Sequence, residues 1–217
     1  MDAKICGIKD INTLSYIINH KYPPKYIGFI TNYKKSKRYV PFEKLRKLIN
    51  VNKKKINFVS VLVSPDDRIL EKLNYLNFDY YQLYDVSPKR TKNIKDKYKK
   101  KIISAITVKN IYDVENYKEF KNISEIILFD SKGYEKSLSF DHKLLNNVPT
   151  NIKKMIGGNI QYDERLDKYS KISDIIDISG SLETLGKKDI FKINIFLENI
   201  KKTKNENKKK SSTYRST

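Results

Sequence analysis

Tryptophan is absent from the 217 residues, and the chain holds one cysteine, two methionines and two histidines. One cysteine cannot form an internal disulfide, which fits a reducing, cytoplasmic setting. No apolar run approaches the length of a bilayer span, so neither a membrane segment nor a membrane partner is expected. Residues 1–4 lead straight into a predicted strand rather than a signal peptide. No spacing of His, Cys and carboxylate residues suggests a metal site.

The chain instead has an excess of positive charge, with a formal net charge of +20 at pH 7. Its Lys and Arg residues are spread over predicted helix faces and turns, and they do not form a stripe interleaved with aromatic side chains. Scattered charge is typical of solvated helix faces and does not favour nucleic acid as the partner. A non-catalytic basic protein that binds nucleic acid is kept as the less favoured alternative.

Short apolar runs alternate with helical patterns eight times, and no Gly/Ser-rich linker divides them. The predicted strands are residues 3–6, 26–31, 56–63, 79–83, 102–108, 125–130, 152–156 and 175–179. Several are unbroken Val, Ile, Leu and Phe runs, as expected for parallel strands covered on both faces. The pattern predicts an α/β fold with one domain at residues 1–200, a (β/α)₈ TIM barrel with short helices. A doubly wound open sheet is the alternative, and the lack of a Gly-rich dinucleotide fingerprint after the first strand weakens it.

Several helices have recognisable start signals. Asp10, Ser64 and Asp189 each precede an apolar helical stripe, and Ser87 precedes a shorter, very basic helix; these four residues are the predicted N-caps. Residues 201–217 are polar, rich in lysine and without apolar periodicity. This composition predicts a disordered basic tail.

A barrel brings the carboxyl ends of its strands to one rim, where catalytic groups collect. Cys6 and Asp130 end the first and sixth predicted strands, while Gln82 and Asp177 lie near the ends of the fourth and eighth. Polar residues at these ends suit a binding site, although strands also end in polar residues for solvation alone. Lys4 shares a strand face with Cys6, so its ammonium group could lower the thiol pKa.

Small residues follow the last two predicted strands, the usual phosphate position of this fold. Gly157 and Gly158 follow the seventh strand, and Gly180 and Ser181 follow the eighth. Backbone N–H groups at small residues can close around an anion, so the sequence predicts a phosphate site there. Arg38, in a lysine-rich loop, could bind a planar carboxylate, although its position alone favours an ordinary solvated charge.

Several short motifs occur in a fixed order between about residues 3 and 198. They are Lys4-Ile5-Cys6-Gly7, Gly28-Phe29, Ser36-Lys37-Arg38-Tyr39-Val40, Gln82-Leu83, Phe129-Asp130-Ser131, Phe140-Asp141, Gly157-Gly158, Asp177-Ile178-Ser179, and residues 183–189 followed by Lys192-Ile193. In this order they resemble the phosphoribosylanthranilate isomerase family of tryptophan biosynthesis. The opening motif Lys4-Ile5-Cys6-Gly7 and the closing segment are the most specific parts of the resemblance. Tyr84-Asp85 stands where that family commonly has His-Gly.

The resemblance implies a TIM-barrel isomerase that performs an Amadori rearrangement of N-(5-phosphoribosyl)anthranilate to 1-(2-carboxyphenylamino)-1-deoxyribulose 5-phosphate. It implies that Cys6 is the general base and Asp130 the general acid. Arg38, Gln82 and Asp177 would bind the substrate, and the glycines after strands 7 and 8 would bind its phosphate. No cofactor or metal is implied, and the enzyme would be a monomer or homodimer. A barrel isomerase acting on a related aminated phosphosugar stays open as an alternative.

Overall fold

Eight parallel strands pair in sequence order, and the eighth pairs with the first to close a barrel. The computed structural model of the chain describes residues 1–131 and 139–213, with side chains of the last helix described as far as residue 206. The strands are β1 (Asp2–Cys6), β2 (Tyr26–Ile30), β3 (Asn57–Val63), β4 (Tyr80–Tyr84), β5 (Lys101–Thr107), β6 (Ile126–Asp130), β7 (Lys154–Ile156) and β8 (Ile175–Ile178). The predicted (β/α)₈ barrel is therefore confirmed.

The helices that connect the strands are short, as predicted. They are α1 (Ile11–Asn19), α2 (Phe42–Leu48), α3 (Asp67–Asn74), α4 (Pro88–Tyr98), α5 (Ile111–Glu115) and α6 (Tyr117–Phe120), with 3₁₀ turns at His142–Leu145, Asp167–Tyr169 and Gly180–Leu182. A two-stranded hairpin, β9 (Glu183–Thr184) and β10 (Lys187–Lys188), precedes the last helix, α7 (Ile190–Thr213). Within the described ranges, no helix combines the length and the apolar composition needed to cross a bilayer.

Three of the four predicted N-caps lie where the sequence places them. The side chains of Asp10, Ser87 and Asp189 each accept a hydrogen bond from a backbone N–H of the helix that follows. The prediction for Ser64 is wrong, because Asp66 caps α3 and accepts from the N–H of Ile69. Ser64 has a positive φ, and its hydroxyl donates instead to the carbonyl of Asp85.

The apolar side chains form two layers, one between the strands and the helices and one inside the barrel. The interior layer comprises Cys6, Tyr26, Ile30, Val59, Val61, Tyr80, Tyr84, Ile103, Ile126, Leu128, Met155 and Ile175. Because side chains alternate along a strand, the residues at the carboxyl ends of the inward rows face the rim. Cys6 and Tyr84 belong to these rows and reach the open end of the barrel.

The predicted tail boundary at residue 200 requires a correction. Helix α7 continues through Thr213, with Thr203 buried and Lys204 paired with Asp2. Among residues 201–206 only Thr203 is buried, so the polar sequence gives little sign of this packing. Residues 214–217 of the predicted tail lie outside the described residues.

Candidate active site

A cavity of about 290 Å³ opens at the carboxyl-terminal rim of the barrel. Its walls include all the predicted site residues except Gln82: Cys6, Arg38, Asp130, Gly157, Gly158, Asp177, Gly180 and Ser181. The lining also includes Tyr84, which the sequence showed only as a departure from the family motif, and the apolar side chains of Ile30 and Val61. Side chains that lie far apart in the sequence therefore meet in one pocket.

Cys6 ends β1 opposite a glycine on the neighbouring strand. Gly28 pairs with Cys6, and a Cβ atom added to Gly28 would lie 2.8 Å from Cys6 Sγ and 3.2 Å from Lys4 Nζ. A contact under 3 Å is not tolerated without movement, so the missing side chain at position 28 creates the space for both groups. Packing therefore explains why position 28 is a glycine, whereas the sequence showed Gly28 only as part of a motif.

A buried ion pair lies beside the sulfur. Lys4 is fully buried, and its Nζ donates to Asp177 Oδ2 at 2.7 Å across the β1–β8 junction. Burial alone would lower the pKa of Lys4, but the interactions with Asp177 and, secondarily, with Cys6 outweigh it and raise that pKa. Lys4 is therefore held as a cation. The second oxygen of Asp177, Oδ1, is buried without a hydrogen-bond partner among the described residues.

Burial dominates the electrostatics of the Cys6 thiol. It raises the thiol pKa, while the cations Lys4 and Lys188 act in the opposite direction and only partly offset it. The resting side chain is thus mainly a thiol at neutral pH. A thiolate forms here only as far as these cations stabilise it, because the nucleophilic and basic form of cysteine is the anion.

Asp130 ends β6 and has a hydrogen bond on each carboxylate oxygen. The hydroxyl of Tyr84 donates to Oδ2 at 2.8 Å, and the N–H of Ser131 donates to Oδ1 at 2.8 Å. Gly157 faces this carboxylate, and a Cβ atom there would lie 3.1 Å from Oδ1. Burial raises the pKa of Asp130, and the bond from Tyr84 offsets part of that rise. A buried carboxyl group with a raised pKa keeps its proton to higher pH, as a general acid requires.

Gln82 lies next to the cavity but does not line it. Its side chain is buried, and its Nε2 donates to the hydroxyl of Tyr84 at 3.2 Å. Two residues along the same strand, Tyr84 forms the cavity wall instead. Gln82 is predicted to bind the substrate, but its side chain does not line this cavity.

Arg38 is anchored by a residue on the hairpin after β8. Its Nε and Nη2 donate to the two oxygens of Glu183 at 2.6 and 2.9 Å. Burial alone would raise the pKa of Glu183, but Arg38 and Lys188 together lower it, so this carboxylate stays ionised. Lys188 also donates to the carbonyl of Ser179 at 2.8 Å, and the Ser179 hydroxyl donates to the carbonyl of Cys6. This network joins Arg38 to the strand that ends in Cys6.

The small residues after β7 and β8 form the other end of the cavity. Gly158 has a φ of 88°, a backbone conformation that favours glycine. The hydroxyl of Ser181 donates to the carbonyl of Ile160 at 2.8 Å and ties the loop after β8 to the loop after β7. The hydroxyl proton of Ser181 is thus used within the protein, so an anion would meet the backbone N–H groups of this region.

The sequence patterns assigned no role to several polar residues of this region, namely Tyr84, Asn159, Gln161, Glu183 and Lys188. A signal existed for Glu183 and Lys188, because both fall in the closing motif at residues 183–189, and the side chain of Lys188 is almost fully buried in the structure. Across residues 1–131 and 139–206, no group of three or more His, Cys, Asp or Glu side chains could hold a metal ion.

Comparison with known proteins agrees with the motif order. The sequence model of the family described as N-(5'phosphoribosyl)anthranilate (PRA) isomerase matches residues 3–199. The chain belongs to this family. Similar curated relatives are the N-(5'-phosphoribosyl)anthranilate isomerases of Thermoanaerobacter pseudethanolicus, 29% identical over 92% of this chain and 97% of that protein, and of Rhizobium johnstonii, 28% identical over 93% and 94%.

Solved structures of the family share the fold. Phosphoribosyl anthranilate isomerase from Thermotoga maritima superposes with a TM-score of 0.82 at 24% identity, covering 93% of this chain and 98% of that one. A phosphoribosyl anthranilate isomerase solved in complex with reduced 1-(o-carboxyphenylamino)-1-deoxyribulose 5-phosphate superposes with a TM-score of 0.79 at 23% identity, covering 93% and 98%. At this level of identity the likeness concerns the barrel itself.

Proposed function

We propose that the chain is a phosphoribosylanthranilate isomerase that converts N-(5'-phosphoribosyl)anthranilate to 1-(2-carboxyphenylamino)-1-deoxyribulose 5-phosphate by an Amadori rearrangement. The observation that carries the proposal is that Cys6 and Asp130, 124 positions apart in the sequence numbering, line one cavity at the barrel rim. Membership of the family supports the same reaction. An intramolecular rearrangement of this kind needs one proton donor and one proton acceptor, and the cavity holds a candidate for each.

In the first step, Asp130 acts as the general acid. Its carboxyl proton passes to the furanose ring oxygen, the C1′–O bond breaks, and the lone pair of the anthranilate nitrogen forms the C1′=N⁺ bond of an iminium ion. The raised pKa of Asp130 extends the pH range in which it holds this proton. The resulting carboxylate accepts hydrogen bonds from Tyr84 and Ser131.

In the second step, Cys6 acts as the general base. The iminium ion acidifies the C2′ proton, and the thiolate removes it to give an enolamine with a C1′=C2′ bond. The enolamine then tautomerises: C1′ gains a proton from water, and the C2′ hydroxyl loses one to water to become the ketone. Cys6 releases its proton to solvent and Asp130 regains one, which restores the starting state of the enzyme. The atoms of substrate and product are the same, so the reaction needs no oxidant or reductant. Lys4 favours the thiolate by its charge.

The remaining predicted residues would bind the two anionic ends of the substrate. Arg38 would bind the anthranilate carboxylate through Nη1 and the second N–H of Nη2, because Nε and the first N–H of Nη2 already donate to Glu183. Gly158, Gly180 and Ser181 would bind the phosphate through backbone N–H groups. The N–H of Gly157 already donates to the carbonyl of Phe129 at 3.0 Å, so Gly157 would contribute to the phosphate site through its small size. Asp177 Oδ1 would accept a hydrogen bond from a ribose hydroxyl, since this oxygen is buried and lacks another partner among the described residues.

The test is a fluorescence assay with purified protein and N-(5'-phosphoribosyl)anthranilate, in which anthranilate fluorescence changes on turnover. Wild type should turn the substrate over, and Cys6→Ala or Asp130→Asn should lower kcat by about 10²–10⁴. Asp96→Asn, which changes an exposed carboxylate on α4, is the matched control and should keep wild-type turnover. Complementation of a tryptophan auxotroph gives the same comparison in cells. Turnover of a different aminated phosphosugar, without turnover of this substrate, would replace the proposal by the related isomerase.

We also propose a cytoplasmic setting and a monomeric or homodimeric assembly. The single thiol of Cys6 is unpaired, and a base of this kind works only while it stays reduced. A related isomerase from Thermotoga maritima is described as dimeric. Light scattering on the purified protein distinguishes the two assemblies, and a larger complex would contradict both.

A further inference from the structure

The hydroxyl of Tyr84 lies between two polar side chains of the barrel interior. It accepts from Gln82 Nε2 at 3.2 Å and donates to Asp130 Oδ2 at 2.8 Å. The amide nitrogen of glutamine can only donate, so the phenol oxygen of Tyr84 must be the acceptor in this bond. The phenol proton is thereby directed toward Asp130. The hydrogen bonds therefore form a chain in which Gln82 donates to Tyr84 and Tyr84 donates to Asp130.

The surroundings keep this direction fixed. Tyr84 is 4% exposed and Gln82 is 1% exposed, so water does not compete freely for either group. Burial, and then the charge of Asp130, holds the pKa of Tyr84 well above its usual value. The phenol therefore stays protonated and stays a donor throughout the working pH range.

We propose that Tyr84 is a positioning residue for Asp130: it fixes the orientation of the carboxyl group and stabilises the carboxylate that remains once the proton has left, with Gln82 holding the phenol in place. This inference rests on the proposed function, because it assigns Tyr84 a part in the ring-opening step. It also gives Gln82 a different role from the predicted substrate contact.

The test is Tyr84→Phe, which removes only the phenol oxygen. The lower limb of the pH dependence of kcat/KM reports the ionisation of Asp130 if Cys6 ionises at higher pH. Loss of a hydrogen bond to the carboxylate should move this limb upward by about one to two pH units. Because the carboxyl group is no longer held, kcat should fall by about tenfold while KM changes little.

Two further variants separate positioning from mere packing. Tyr81→Phe removes another buried phenol oxygen, one that lies outside the cavity and has no partner among the described residues, and it should leave both limbs unchanged. Gln82→Leu keeps the phenol but removes the group that directs it, so it should shift the lower limb in the same direction by a smaller amount. A Tyr84→Phe enzyme with a lowered Tm but a wild-type lower limb would overturn the proposal.

A second measurement keeps the inference separate from the proposed function. The carboxyl ¹³C resonance of Asp130, assigned by its loss in Asp130→Asn, is titrated in wild type and in Tyr84→Phe. An upward shift of the Asp130 pKa in the variant supports the contact even if wild type fails to turn over phosphoribosylanthranilate, in which case the proposed function alone fails. Coincident titrations overturn the assignment of Tyr84 whatever the activity.

Discussion

The guanidinium of Arg38 and the carboxylate of Glu183 form a two-point contact, with Nε–Oε1 at 2.6 Å and Nη2–Oε2 at 2.9 Å. The two residues lie 145 positions apart, so the contact joins the loop after β2 to the hairpin after β8. Lys188 binds the same carboxylate at 2.9 Å. A surface charge run would not be fixed in this way, and the solvated interpretation of Arg38 is therefore wrong.

Replacing Arg38 by lysine should separate charge from shape. Lysine keeps the positive charge but cannot form a bidentate contact with two parallel N–H···O hydrogen bonds. Both the Glu183 contact and the binding of a planar carboxylate should therefore weaken. We expect KM to rise about tenfold, equivalent to about 1.4 kcal/mol of binding free energy, with kcat within about twofold of wild type. Steady-state kinetics measure both. Arg46→Lys, at an exposed pair with Glu43, is the matched control and should change neither.

Lys4 should control the ionisation of Cys6. In Lys4→Met the cation that lowers the thiol pKa is gone while burial still raises it, so the pKa must move further upward. The rate of Cys6 alkylation by iodoacetamide, measured against pH, should therefore rise at higher pH in the variant than in wild type. At neutral pH alkylation should slow by about tenfold for each unit of pKa shift.

A second buried lysine provides the control for that experiment. Lys154 is 5% exposed, and its Nζ donates to the carbonyls of Val148 and Pro149 rather than to a carboxylate near Cys6. Lys154→Met should reproduce the general cost of losing a buried ammonium without shifting the alkylation profile. If the profiles of Lys4→Met and wild type coincide, Lys4 does not tune the thiol.

The barrel could be predicted from sequence because its signals are local. Each strand is a short apolar run, and most helices begin with a recognisable cap, so periodicity alone fixes eight repeats. Cys6 and Asp130 could be placed for the same reason, since a strand end in a parallel barrel always faces the common rim. The motif order then added their expected roles.

The residues that the sequence did not single out depend on contacts between distant parts of the chain. Tyr84 matters because of Asp130, which lies 46 positions away, and Glu183 matters because of Arg38. No local pattern records such pairings. Ser64 failed as a cap for a related reason: it and Asp66 are both good capping residues, and only the backbone path decides between them.

Cutting the chain after Ile200 should reduce stability, contrary to the expectation for a disordered tail. The cut removes the buried Thr203, whose hydroxyl donates to the carbonyl of Asn199, and the ion pair from Lys204 to Asp2. We expect the free energy of unfolding to fall by about 1–3 kcal/mol, as measured by urea denaturation. The full-length variant Lys204→Met should lose at most about 1 kcal/mol, because its ion pair is partly exposed. Equal stability of the cut and intact chains would restore the original boundary at residue 200.

Gly28 should be needed for catalysis more than for folding. In Gly28→Ala the new Cβ would lie 2.8 Å from Cys6 Sγ, so either the sulfur rotates away or the β1–β2 pair separates. Rotation about one side-chain bond costs less than separating two central strands, so the sulfur should move. A displacement of about 1 Å in a reacting group can cost about 10²-fold in rate, and we expect a loss of that order in kcat with a Tm close to that of wild type. Kinetics and thermal unfolding of the same preparation measure the two effects. A large drop in Tm with unchanged kcat would show that the strands yield and the sulfur stays.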